Sequence, residues 1–189
     1  MQVATARVDA ALTQHAVSVW PLGADDLEIA ARWLAADRNR PWLDFGGGVG
    51  PPTTLSLRVM SQRDQHSIWV YGPPGCDRVP VGLVGLGQIQ HRFQTAEVWC
   101  VLGEKEYGPQ DLTVRASAFV LEHGFRNLGL HCIYAWTVEV NRGARRLLRR
   151  FGFREAGRLR ASHLIGGRRY DRIWLDLLAE EYAGFSDTW

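Results

Sequence analysis

The sequence predicts an α/β domain in which helices cover a mixed, mostly antiparallel sheet of six to seven strands. Three observations carry this expectation. The local patterns run strand, helix, three-strand meander, helix, strand, helix and a closing strand pair. The three middle runs are short and separated by tight turns, which favours antiparallel neighbours. The chain has 189 residues, 46% of them hydrophobic, the size of one domain with a substantial core.

Met1 to His15 shows only weak helical spacing at Val8, Ala11 and Leu12, so residues 1–15 read as a loose arm, 16–182 as a single domain and 183–189 as a tail. Val17 to Leu22 alternates as a short strand stopped by Pro21. Gly23-Ala24-Asp25-Asp26 then caps a helix whose apolar positions are Leu27, Ile29, Ala30, Trp33 and Leu34. From Arg40 to Pro52 the glycine and proline content predicts a flexible loop, followed by a short helix or strand through Thr53–Met60. The meander comprises Ser67–Tyr71, Val81–Leu86 and Ala96–Leu102, with Gly72-Pro73-Pro74-Gly75 as one turn. A polar loop, Gly103–Asp111, leads to a helix over Leu112–Asn127 with Gly129 as its stop. His131–Val138 reads as a strand and Asn141–Arg150 as a helix leaving through Phe151-Gly152-Phe153. Ala156–Leu164 and Tyr170–Leu177 form a hairpin around Gly166-Gly167.

Composition narrows the function classes. No run approaches the roughly 18 apolar residues of a membrane span, and no basic-then-apolar leader opens the chain. Cys76, Cys100 and Cys132 are odd in number and widely spaced, without the paired spacing of a zinc or redox centre. These features predict a metal-free protein of a reducing, cytoplasmic compartment, with no membrane partner. Of the 22 basic residues all but Lys105 are arginine, which genome composition explains. Their placement is another matter. Arg142 to Arg172 holds eleven arginines against Glu155 and Asp171, a local net of +9, while the whole chain carries only +2. Such asymmetry fits an anionic partner, whether a phosphorylated co-substrate, an acidic protein or a nucleic acid.

Four stretches carry a family resemblance: Ala96-Glu97-Val98-Trp99; Phe125-x-x-Leu128-Gly129-Leu130; Asn141-x-x-Ala144 with Arg149-Arg150-Phe151-Gly152-Phe153; and Gly167-Arg168-Arg169-Tyr170-Asp171 with Leu177-Leu178-Ala179-Glu180-Glu181. In this order and spacing the chain resembles the GNAT acyltransferase superfamily, in the branch of the bacterial ribosomal-protein alanine N-acetyltransferases. The resemblance implies direct transfer of an acyl group, most simply acetyl, from a coenzyme A thioester to a primary amine on a small molecule or a protein N-terminus. Nucleic acid is not the partner it implies.

The loop before the central helix departs from the family pattern Q/R-x-x-G-x-G/A, whose backbone N–H groups meet the donor pyrophosphate at a helix N-terminus. Here it reads Lys105-Glu106-Tyr107-Gly108-Pro109-Gln110. Lys105 and Gly108 keep the basic and first glycine positions, Pro109 has no N–H to give, and Gln110 stands where a small residue would let phosphate approach. Glu104, Glu106 and Asp111 add negative charge. Three readings stay open: coenzyme A binding through Lys105, Tyr107, Gly108 and Gln110; an acyl-phosphopantetheine donor on an acidic carrier protein; or a non-catalytic domain that binds an acidic partner.

By the same resemblance the pantetheine would lie between the splayed fourth and fifth strands, with backbone near Trp99 to Val101 polarising the carbonyl, Asn141 bonding the pantetheine or capping its helix, and Arg145 or Arg146 meeting donor phosphate. Glu97, a carboxylate in an apolar strand, is the candidate general base, against a purely structural pairing with an arginine across the sheet. The tyrosine acid common in the superfamily is replaced by Leu148. His91 and Cys100 are weaker candidates, the latter reading more simply as a small core residue. The Gly46–Gly50 run lacks a phosphate-loop signature and is expected at the acceptor side, with Trp42, Phe45 and Trp99 lining that pocket.

Overall fold

The computed structural model describes residues 17–44, 50–75 and 78–184. The expectations placed on the N-terminal arm, on Phe45, on the glycines before Gly50, on Cys76 and on the end of the tail lie outside those residues.

The elements are β1 (Ser18–Pro21), α1 (Leu27–Ala35), α2 (Thr54–Ser61), β2 (Ser67–Gly72), β3 (Gly82–Gln90), β4 (Thr95–Leu102), α3 (Leu112–Glu122), β5 (Cys132–Val138), α4 (Arg142–Arg150), β6 (Arg154–Ile165) and β7 (Arg168–Leu178). They form one seven-stranded sheet of order β1-β2-β3-β4-β5-β7-β6. Every neighbouring pair is antiparallel except β4 and β5. The mixed, mostly antiparallel sheet flanked by helices is the one expected.

Strand alternation sorts the core onto two faces. Trp69, Tyr71, Val84, Leu86, Ala96, Ile133, Ile173 and Leu177 pack with Phe119 and Val120 of α3 and Leu148 of α4. Ile68, Val70, Leu83 and Val101 meet Trp33 and Leu34 of α1 and Leu57 of α2 on the other. The second cluster covers only the β1 to β4 half of its face. Over β5 and β7 that face carries Trp136, Arg172 and Trp174 instead of an apolar cluster under a helix.

Local chemistry explains the departures from the expected elements. The Thr53–Met60 ambiguity resolves to helix because Thr53 and Ser56 cap it reciprocally: Ser56 N donates to Thr53 Oγ1 at 3.2 Å and Thr53 N to Ser56 Oγ at 2.7 Å. The loop expected over Gly103–Asp111 contains a 3₁₀ segment, Lys105–Gln110, ending in Asp111 at φ 55° and ψ 15°. The helix expected to reach Asn127 changes to π geometry at His123–Asn127. There Gly124 packs so tightly against β5 that a Cβ would sit 2.7 Å from Ile133 Cδ1. Gly166 and Gly167, both at positive φ (56° and 79°), close the β6–β7 hairpin in a turn that only glycine makes without strain.

Candidate active site

The parallel pairing of β4 and β5 lasts three residue pairs, from Thr95 with Cys132 to Glu97 with Tyr134. Beyond Glu97 the strands diverge, so the β5-facing edge of Val98–Leu102 has no strand partner. Into this split opens a cavity of about 300 Å³. Strand alternation gives it two ends. On the half-covered face it is lined by Trp42, Asp44, His66, Glu97, Trp99 and Arg172; on the α4 side by Cys100, Thr137, Asn141, Ala144 and Leu147.

Glu97 stands at the root of the split. Burial pushes its carboxyl above the usual carboxylate range, opposed by the hydrogen bond from the Trp136 side chain and by the charge of Arg172, with Asp44 adding to the rise. Both roles weighed for Glu97 thus have a physical basis: it faces an arginine across the sheet, and it borders the cavity.

Arg172 organises the wall beside it. Its guanidinium lies 4.1 Å from the centroid of the Trp136 ring, and Nη2 donates to Asp44 Oδ2 and to His163 Nδ1, each at 3.0 Å. Since Nδ1 accepts, the ring proton is on Nε2, which donates to Pro41 O at 2.7 Å. These contacts pin residues 41–44, expected to belong to a flexible loop, onto the β6–β7 hairpin. A bulge aims His163 inward: register shifts between Leu159 and His163, where Ala161 has φ 50° and donates its N–H to Asp171 Oδ1 at 2.9 Å. His163 is 8% exposed on a strand that is otherwise mostly open.

Three buried polar atoms of cavity-lining residues have no hydrogen-bond partner: His66 Nδ1, Thr137 Oγ1 and Arg172 Nε. Unsatisfied buried groups are costly, and all three belong to residues that line this one cavity.

The other expected site residues divide plainly. Trp42 and Trp99 line the cavity. Asn141 lines it and caps α4, its Oδ1 accepting from Ala144 N at 3.1 Å. The Val101 side chain is buried with α1 and α2, leaving only its backbone for the split. Lys105, Tyr107, Gly108 and Gln110 sit on the 3₁₀ segment beyond the cavity lining, and Tyr107 packs against the core, which removes much of its side chain from any ligand. Of the flanking acids, Glu104 accepts from Trp33 Nε1 at 2.9 Å and lies 3.7 Å from Arg32, while Asp111 pairs with Arg150 at 3.4 Å. Arg146 is on the exposed side of α4, outside the cavity, and Arg145 donates to Glu139 O at 3.1 Å. Cys100 lines the cavity, but burial pushes its thiol up to about 11, too high for a thiolate nucleophile. His91 is exposed in the turn after β3.

Asp44, His66, Trp136, His163 and Arg172 are absent from the sequence reading of the site. Four of the five are polar residues in polar surroundings, where no local contrast singles them out.

Among the described residues the one parallel strand pair splits beside a half-buried carboxylate and a helix-capping asparagine, an arrangement that fits an acyltransferase. The chain belongs to the GNAT acetyltransferase family, whose domain model matches residues 9–154. Its fold is similar to that of spermidine N-acetyltransferase from Vibrio cholerae in complex with CoA and spermine, with a TM-score of 0.75 over 88% of this chain and 98% of that one, at 20% identity. It is similar also to Mycobacterium smegmatis RimJ in complex with CoA-disulfide, with a TM-score of 0.70 over 87% and 83% of the two chains, at 24% identity. No curated protein sequence matches. The family match supports an acetyltransferase and does not favour the carrier-protein or non-catalytic readings. No helix among the described residues is long and apolar enough to cross a membrane.

Proposed function

We propose that this enzyme transfers acetyl from acetyl-coenzyme A directly to the amine of an amino-acyl acceptor, a peptide N-terminus or an amino-acid amide, in a reducing cytoplasmic compartment. The observation that carries the reading is the break in the β4–β5 ladder after Glu97, which leaves a backbone edge and a cavity side by side. Pantetheine in the split would pair with that edge, and an N–H there would stabilise the developing oxyanion. Holding both reactants in line removes an entropic barrier of roughly 7–11 kcal/mol in favourable cases. Glu97, ionised and facing the acceptor end, takes a proton from the bound ammonium. The basic residues from Lys105 to Arg150 supply the field for the donor phosphates.

The acceptor class follows from the cavity charges. Glu97 and Asp44 favour a cation, but Arg172 stands between them, which disfavours a polyamine carrying several positive charges. Arg172 Nε, on the same face as Glu97 and unpartnered, suits a carbonyl beside a single amine. Release of coenzyme A from acetyl-coenzyme A tests this with three acceptors: a peptide with a free N-terminus, the same peptide N-blocked, and spermidine. The free peptide should turn over fastest and the blocked one not at all. No release with any amine would overturn the reading.

A further inference from the structure

Building on that acetyl-transfer reading, we propose that His66 is a second proton acceptor of the reaction, deprotonating the acceptor nitrogen after it has attacked the thioester carbonyl.

The position of the ring is fixed by its turn. His66 N donates to Arg63 O at 3.1 Å, and Gln65 O accepts from Ile89 N of β3 at 3.1 Å. The imidazole therefore lies over β3 at Gly87, where a Cβ would be 3.6 Å from His66 Nδ1 and 3.7 Å from Trp99 Nε1. Gly87 is the cross-strand partner of Glu97. Directly opposed side chains leave the sheet about 4.5–5.5 Å apart at Cβ, on one face. The missing side chain at Gly87 thus leaves a floor bordered by the His66 imidazole, the Trp99 indole nitrogen and the Glu97 side chain, and all four residues line the same cavity. His66 Nδ1 is buried there with no hydrogen-bond partner. Burial, and then the charge of Arg63, hold the ring below the usual histidine range, so it is neutral near neutrality and keeps a lone pair. The charged groups around it are Arg63 on its own turn, Glu97 on β4, Asp44 on the pinned segment and Arg172 on β7.

Two protons must leave the acceptor nitrogen as the ammonium becomes an amide, and a second acceptor spares Glu97 from handling both. Glu97 takes the first, freeing the amine; its lone pair forms the C–N bond and the thioester carbonyl becomes an oxyanion. The adduct nitrogen is then a cation and more acidic than the free ammonium, which suits a weak neutral base. His66 takes this proton, the oxyanion re-forms the carbonyl and the C–S bond breaks. The thiolate recovers one proton and solvent receives the other.

The test compares wild type, His66→Gln and His66→Ala. We expect His66→Gln to lose about 10²-fold in kcat while its KM for acetyl-coenzyme A is unchanged. The acid limb of log kcat/KM against pH should approach slope two in wild type and slope one in His66→Gln, and imidazole should partly restore His66→Ala. A folded His66→Gln that keeps wild-type kcat and an unchanged acid limb, beside an active wild type, overturns the role of His66 alone. A wild type that releases no coenzyme A with any amine overturns both this role and the acetyl-transfer reading.

Discussion

The proposed acceptor end of the cavity and the proposed donor loop handle charge in opposite ways. At the acceptor end, Glu97, Arg172, Asp44 and His163 interlock through hydrogen bonds and a stacked guanidinium, drawing β4, β5, β6, β7 and residues 41–44 into one network. At the donor loop, Glu104 and Asp111 are drawn away to Trp33, Arg32 and Arg150, leaving Lys105 and Glu106 exposed. A partly desolvated network holds its side chains in register. An exposed loop would need only a field, and two of its three acids, Glu104 and Asp111, are already held by other partners.

Substitutions at the two ends should therefore fail differently. The largest effect is expected from Glu97→Gln, which should lower kcat about 10²-fold or more in steady-state assays. The fold should not suffer. Burial raises the folded-state pKa of Glu97, so its favourable contribution is present below the unfolded value and lost as pH rises through the folded one. At neutral pH the ionised group costs stability, and thermal melts should put Glu97→Gln at or above wild type. The same shift places the acid limb of wild-type activity above that of an ordinary carboxylate.

Arg172→Ala should come next. It leaves Asp44 and Glu97 facing each other across the cavity and Trp136 unstacked. A loss of about 1–2 kcal/mol, read as a lower Tm, should accompany a raised KM for the acceptor. At the donor loop, Lys105→Ala should raise KM for acetyl-coenzyme A about fivefold, with kcat nearly unchanged and the effect shrinking as salt is added. The smallest effect is expected from Asp111→Asn. Asparagine tolerates the left-handed conformation, and removing the charge from the start of α3 should lower that KM about two- to threefold.

Much of the fold was legible because alternation and helical spacing are local signals. The meander and the closing hairpin stand where their patterns put them, and the central helix starts where expected. Glu97 was legible for a related reason: a carboxylate in an apolar strand contrasts with its neighbours. The pinning of residues 41–44 was not, because His163 to Pro41 and Arg172 to Asp44 span 122 and 128 residues of sequence. The bulge that turns His163 inward depends on Asp171 ten residues away, and no hydrophobic pattern records it. His66 escaped notice in a polar turn, since its significance rests on the absence of a side chain at Gly87.

Glu97 is proposed to work at the chemical step, beside a donor site that does not depend on it. The most direct test of this role is the rate of coenzyme A release by Glu97→Gln at saturating acetyl-coenzyme A and free-amine peptide, with donor affinity measured by calorimetry on the same protein. An unchanged Kd for acetyl-coenzyme A and a rate about 10²-fold or more below wild type are expected. Equal rates with equal affinity would contradict that role.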